Sequence, residues 1–203
     1  SVIEEHPDRF RLEVVSAHRS IDKLIKVIER FRPRHVILTD PSQEEALMER
    51  LPKWFEGSLA FGENSLIEAA KATEVDVVVA AIVGAVGLRS TYVAVSSGKR
   101  VCLANKEALV MAGGLMIAEA RKSGAVLLPI DSEHNAMFQC LPETYLVGEQ
   151  IAGLRQLILT CSGGPFLEWS IRDLTRVTPA QAVAHPNWSM GRKISVDSAT
   201  LMN

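Results

Sequence analysis

Asp131 and Glu133 stand two residues apart in the run PIDSEHNAM (129–137), directly after the apolar stretch AVLLPI (125–130). Two carboxylates at the mouth of a buried segment repel each other and resist desolvation. Two physical reasons could keep them there. If the extended backbone continues to 133, both side chains point to one face. They then offer hard oxygen ligands that suit Mg²⁺ or Mn²⁺ better than zinc. Alternatively, Asp131 or Ser132 caps a helix that begins near His134. Two carboxylates are in either case an incomplete hard-metal site, and a third ligand or substrate oxygens must come from elsewhere.

Other clusters carry chemistry of a different kind. In CSGGPF (161–166) a serine followed by two glycines bares backbone N–H groups that can wrap a phosphate, or simply turns the chain. Ser189, Ser195, Ser198 and Asn203, with Arg192 and Lys193, crowd polar donors into the last fifteen residues, which suits an anionic ligand or a solvated loop. Lys106 and Glu107 follow Asn105, which could cap the helix they open. His18 and Arg19 follow the first visible strand. In a dinucleotide fold the end of the second strand reads the adenosine ribose, and a basic pair there favours a 2′-phosphate and hence NADPH, unless it is a plain surface turn. Trp188 is either a ligand-covering lid or a core anchor, and His185 before Pro186 is equally open. No GxGxxG occurs in the chain.

These residues need elements to position them. Strands are predicted over 11–17, 35–40, 75–84, 100–105 and 125–130, and helices over 21–31, 42–51, 63–73, 88–97 and 106–124. IDKLIKVIERF (21–31) has apolar residues at helical spacing, and Ser42 with Glu45 reads as a capping box. The 106–124 helix tolerates Gly113–Gly114 and stops at Gly124. Strand and helix alternating in this way predict a doubly wound, Rossmann-like parallel α/β sheet over 1–130, with ligands at the carboxyl ends of its strands. Several polar clusters fall at those ends: AHRS (17–20), TDPS (39–42), GAVG (84–87), ANKE (104–107) and DSEHN (131–135). Residues 131–203 read as the start of an α+β domain, with a strand over 155–160 and helical pieces around 171–175 and 179–184. The opening SVIEEHPDRF reads as a helix end stopped at Pro7, not as a signal peptide.

Bulk composition narrows the class. The chain has 203 residues, 47% hydrophobic and 23% charged, enough for a sizeable core. A net charge of −2 without like-charge runs argues against nucleic-acid or membrane-surface binding. No apolar stretch is long enough to span a bilayer. Cys102, Cys140 and Cys161 have no metal or disulfide spacing, and Cys102 and Cys161 read as buried thiols in a reducing compartment.

The runs HPDRF, AAIVGAVGL, LANKEALV, LLPIDSEHNAMFQCL, SGGPF and HPNWSMGRKISVDSATLMN extend from the first ten residues to Asn203. Together they closely resemble the 1-deoxy-D-xylulose 5-phosphate reductoisomerase family of non-mevalonate isoprenoid synthesis. The resemblance implies an NADPH-binding Rossmann domain, a catalytic domain, and reductive rearrangement of a phosphosugar to 2-C-methyl-D-erythritol 4-phosphate with Mg²⁺, Mn²⁺ or Co²⁺. It implies Asp131 and Glu133 as metal ligands. Lys106, Ser132 and Glu133 match substrate contacts. Ser162, Ser198 and Asn203 match a phosphate pocket, and His185 and Trp188 a loop closing over the substrate. Lys106, Asp131, Glu133 and His185 are the implied catalytic set. Ala17, His18, Arg19, Ser20, Asn105, Glu107 and Gly191 match cofactor contacts. A homodimer in the bacterial cytoplasm, or in a plastid for a plant or alga, is the implied setting.

His18-Arg19-Ser20 departs from the family's usual Gly-Lys-Asn-like turn, yet keeps a base for the 2′-phosphate. The resemblance also places a GSTGSIG-type loop before Ser1, and a Lys, a third ligand Glu and a C-terminal domain after Asn203. The expectation is that these 203 residues alone show little or no turnover.

Overall fold

A computed structural model describes residues 1–145, 149–160 and 162–200. The chain divides into two compact units, Ser1–Ile130 and Asp131–Asn203.

The first unit opens with α1 (Val2–Glu5) and β1 (Val14–Ala17), followed by α2 (Ile21–Phe31), β2 (His35–Leu38), α3 (Glu44–Arg50), β3 (Ser58–Phe61) and α4 (Glu63–Lys71). It continues with β4 (Val77–Ala80), α5 (Leu88–Ser96), β5 (Arg100–Leu103), α6 (Lys106–Ser123) and β6 (Val126–Pro129). Every strand pair is parallel, because each crossover runs through a helix. The strands form two three-stranded sheets of order β1-β2-β3 and β4-β5-β6. Val14 pairs with His35 and His35 with Ser58 in one sheet, and Val77 with Arg100 and Arg100 with Val126 in the other. This is the parallel α/β class that the strand–helix alternation predicts.

Helical spacing explains the core of the first sheet. Ile21, Leu24, Ile25 and Ile28 share one face of α2 and pack with Val36, Leu38 and Leu47. Burying a side chain such as Leu24 or Ile28 contributes roughly 1.5–3 kcal/mol. The second sheet buries Val101, Leu103 and Leu127 together with Ala94, Val95 and Met116 from α5 and α6. A cavity of about 390 Å³ runs along Val14–Ser16 of β1, Val77–Ala80 of β4 and Leu66, Ala69 and Ala70 of α4.

Several local expectations need correction. Ser42 does not cap a helix. Asp40 does, accepting from Ser42 N at 3.0 Å to open a 3-10 turn over Pro41–Gln43, and α3 follows. Asp40 wins because Pro41, with its fixed φ and missing N–H, already suits the first helical position. The strand β3 was not anticipated, since SLAF has no β-branched residue. The long helix is kinked at Ala112 (φ −140°, ψ 24°), next to the Gly113–Gly114 pair.

The second unit contains α7 (Ser132–Gln139), 3-10 turns at Gly164–Phe166 and Asp173–Arg176, α8 (Pro179–Ala182) and α9 (Arg192–Thr200). Thr178 and Gln181 form a capping box that starts α8. Of the polar cluster near Asn203, Arg192, Lys193, Ser195 and Ser198 stand on α9, while Ser189 precedes that helix. Residues 155–160 form no strand, and Leu157, Ile158 and Leu159 are exposed. A strand exists only with a partner, and no described residue pairs with this segment. The piece expected at 171–175 is the 3-10 turn. Cys102 is half-buried and Cys140 exposed, while Cys161 and Asn203 lie outside the described residues.

Candidate functional site

At the carboxyl end of the first sheet, β1 hands over to His18, Arg19 and Ser20, and β2 to Thr39 and Asp40. Backbone bonds lock these ends together: Thr39 N donates to Ala17 O at 2.9 Å and Asp40 N to His18 O at 3.3 Å. Side chains follow the same pairing. His18 Nδ1 lies 3.0 Å from Thr39 Oγ1, and Arg19 Nε donates to Asp40 Oδ2. Asp40 is buried, and Ser42 Oγ reaches its Oδ1 at 2.8 Å. Its carboxyl is held down to about 2, first by the Ser42 hydroxyl and then by Arg19. Ser20 stands at the N-cap of α2 without a side-chain bond to the helix. Sequence reasoning marked the cluster 39–42 but gave Thr39 and Asp40 no role. An acidic residue at a strand end beside a basic pair was the available signal.

At the carboxyl end of the second sheet, Asn105 is buried and caps α6, accepting from Ala108 N at 3.2 Å. Its Nδ2 donates to Ile82 O at 2.5 Å and Gly84 O at 3.1 Å. Both amide hydrogens are thereby used, so Asn105 shapes the loop after β4 with its side chain. Gly87 permits this approach, since a Cβ there would meet Asn105 Nδ2 at 2.6 Å. Lys106 and Glu107 form the first turn of α6.

In the second unit the extended backbone does not persist to 133. Asp131 is the N-cap of α7 (φ −61°, ψ 133°), and its Oδ1 accepts from His134 N at 3.4 Å. Ser132 and Glu133 lie in the first helical turn, where Ser132 Oγ donates to Glu133 Oε2 at 2.6 Å. The cap that competed with the cation in the sequence is thus present. One oxygen of each carboxylate is engaged, Asp131 Oδ1 by His134 N and Glu133 Oε2 by Ser132 Oγ. No three His, Cys, Asp or Glu among the described residues group as a ligand set. Two carboxylates in one turn still fit a hard ion such as Mg²⁺, which commonly takes one or two carboxylates and fills its shell with water and substrate oxygens.

The same unit brings together residues that lie far apart in sequence. Ser162 Oγ is 3.0 Å from His185 Nε2 and 2.9 Å from Ser198 Oγ of α9. Proton positions follow from the partners. His185 Nδ1 accepts from Asn187 N at 3.2 Å and Trp188 N at 3.0 Å, so the neutral ring carries its hydrogen on Nε2. Ser162 Oγ then accepts from Nε2 and from Gly164 N at 3.3 Å, and its own hydrogen turns to Ser198. Trp188 stacks on the imidazole with centroids 5.0 Å apart and planes 3° from parallel, while remaining exposed. Gly163 and Gly164 both have positive φ, and a Cβ on Gly164 would meet Ala199 Cα at 2.9 Å. The glycines therefore let the serine loop seat against α9. Gly191 O accepts Ser195 N at 3.0 Å and Ser195 Oγ at 3.1 Å at the start of that helix. The result is a knot of hydroxyls and one imidazole N–H, a donor set suited to phosphate oxygens.

Comparison with known proteins gives these groups a context. The family model of 1-deoxy-D-xylulose 5-phosphate reductoisomerase matches residues 1–113, and that of its C-terminal domain matches 127–203. The 1-deoxy-D-xylulose 5-phosphate reductoisomerase of Dechloromonas aromatica (strain RCB) is 51% identical over 203 residues, covering 100% of this chain and 51% of the relative. That of Methylococcus capsulatus is 52% identical over 204 residues, covering 100% and 52%. A crystal structure of DOX-P reductoisomerase in complex with NADPH, fosmidomycin and magnesium superposes with a TM-score of 0.89 at 44% identity, covering 100% of this chain and 51% of that one. The Zymomonas mobilis enzyme in complex with NADPH gives 0.83 at 42% identity, covering 99% and 50%. The chain spans about half the length of the curated relatives it matches. With family models matching both of its units, the chain belongs to the 1-deoxy-D-xylulose 5-phosphate reductoisomerase family.

Proposed function

We propose that this chain supplies the cofactor and substrate sites of an NADPH- and divalent-metal-dependent enzyme converting 1-deoxy-D-xylulose 5-phosphate to 2-C-methyl-D-erythritol 4-phosphate. The Ser162–His185–Ser198 knot carries this reading, because it gathers two hydroxyls and an imidazole N–H that can donate to the oxygens of a phosphate monoester. Residues 1–130 serve as the NADPH domain and 131–203 as the catalytic domain. Ser162 and Ser198, with Asn203, take the phosphate. His185 and Trp188 cover the substrate and exclude water from it. Lys106, Ser132 and Glu133 contact its polar groups.

Asp131 and Glu133 would hold the divalent ion, which polarises carbonyl oxygens and lowers the pKa of a bound hydroxyl. The isomerisation moves carbon without net redox change. The reduction then takes a hydride from NADPH and a proton from solvent. Ala17, His18, Arg19, Ser20, Glu107 and Gly191 contact the cofactor, and Asn105 helps by holding the 82–84 loop. A cytoplasmic homodimer is the working form this reading proposes. No helix among the described residues is long and apolar enough to cross a membrane.

The test is NADPH oxidation with 1-deoxy-D-xylulose 5-phosphate and Mg²⁺ or Mn²⁺ by the complete gene product carrying these residues, followed by loss of nicotinamide absorbance. Ser162→Ala should lower kcat/KM roughly 10- to 100-fold, the worth of one charge-assisted hydrogen bond. Absence of substrate-dependent oxidation with either metal would refute the assignment.

A further inference from the structure

Asp40 is in an unusual position for a strand-end carboxylate beside a dinucleotide. The carboxylate that accepts the ribose 2′-hydroxyl in unphosphorylated-cofactor sites ends the ribose-reading strand, whereas Asp40 follows the neighbouring strand β2. Here the side chain is only 10% exposed. Oδ1 is occupied by Ser42 N at 3.0 Å and Ser42 Oγ at 2.8 Å, and Oδ2 by Arg19 Nε. The carboxylate is thus turned back into its own loop. Arg19, by contrast, keeps a side chain that is 70% exposed. Only its Nε meets Asp40, which leaves the two Nη groups as donors on the outer edge of the guanidinium. The backbone bonds from Thr39 N and Asp40 N to Ala17 O and His18 O fix the two strand ends that carry the pair.

We infer that Asp40 is a positioning residue for recognition of the cofactor's 2′-phosphate, acting through Arg19. It tethers the guanidinium at Nε and so holds the Nη edge ready for a phosphate monoester. This rests on the NADPH reading given above. The sign of the effect separates it from simple electrostatics. A bare carboxylate near a phosphate repels it, so removing Asp40 should tighten binding if charge alone mattered. Removing a tether should weaken it.

The experiment is calorimetric titration of the complete gene product carrying these residues with 2′,5′-ADP and with 5′-AMP, which differ by the 2′-phosphate. The variants are Arg19→Ala, Asp40→Ala, the double variant, and Asp40→Asn, which keeps one acceptor for Nε. Circular dichroism confirms that each is folded, and Asp40→Asn carries the test if Asp40→Ala is not. The expected result is that Asp40→Ala cuts the preference for 2′,5′-ADP by about tenfold without changing 5′-AMP affinity. Asp40→Asn should cut it less, and Asp40→Ala should have no further effect once Arg19 is gone.

If the wild-type chain does not prefer 2′,5′-ADP, the NADPH reading falls and this inference with it. If it does, and Arg19→Ala removes the preference while Asp40→Ala leaves or increases it, the inference alone is overturned. Equal losses for both nucleotides, or additivity of the two alanine variants, overturn it as well.

Discussion

Asn105 offers a sharp test of how the second sheet holds its loops. Asparagine and aspartate are about equally good helix caps. If capping α6 were its whole contribution, Asn105→Asp would be nearly silent. The structure gives the side chain two further bonds, from Nδ2 to Ile82 O and Gly84 O. Asn105→Ala removes the cap, worth about 1 kcal/mol. It also removes two hydrogen bonds at about 1 kcal/mol each, since the carbonyls they serve are partly reached by water. The expected destabilisation is about 2–4 kcal/mol. Asn105→Asp keeps the cap acceptor but sets a carboxylate oxygen against two carbonyl oxygens, so it should cost at least as much. Urea unfolding followed by circular dichroism reads both. An Asn105→Asp variant within about 0.5 kcal/mol of wild type would show that the ties to the 82–84 loop contribute nothing.

Further outcomes follow from other sites. Ile28 is fully buried against Leu24, Val36 and Leu38, so Ile28→Ala should cost about 2–5 kcal/mol in the same assay. Asp40 has a carboxyl depressed to about 2 from an ordinary 3.8, so its contribution is present above the ordinary value and lost as pH falls toward 2. Asp40→Asn should therefore flatten the acid limb of the stability–pH curve in that window, and an unchanged limb would contradict the assignment. Gly164→Ala combines a φ of +61° with a Cβ 2.9 Å from Ala199 Cα. It should cost about 1–3 kcal/mol in thermal unfolding and weaken inorganic phosphate binding by separating Ser162 from Ser198. Retained phosphate affinity would detach the knot from ligand binding.

Much of this architecture was legible where local and tertiary signals agree. IDKLIKVIERF has a buried stripe at helical spacing and becomes α2 with the expected limits. Val77–Ala80 and Arg100–Leu103 lie inside the strands expected there. Legibility failed where a distant partner decides. SLAF becomes β3 only because β2 offers it an edge, whereas the more β-prone RQLILT has no such edge among the described residues. Asp131 shows a third case: the sequence left a one-face extended segment and a helix cap open, and the cap forms, with Glu133 in the first turn of α7. The convergence of Ser162, His185 and Ser198 could be listed residue by residue but not seen, because 23 and 36 residues separate Ser162 from its two partners.

The sheet orders have a consequence for how the first unit acquires its structure. Each strand pairs only with its immediate neighbour in sequence, and each pairing, from Val14 with His35 to Arg100 with Val126, closes a loop of roughly two dozen residues. The loop-closure entropies are therefore nearly uniform, and no pairing must wait for a much costlier one. β1–β3 with α2 and α3, and β4–β6 with α5 and α6, can each assemble as a cooperative block with its own buried centre. Native-state amide exchange should then resolve two isotherms, one for each sheet.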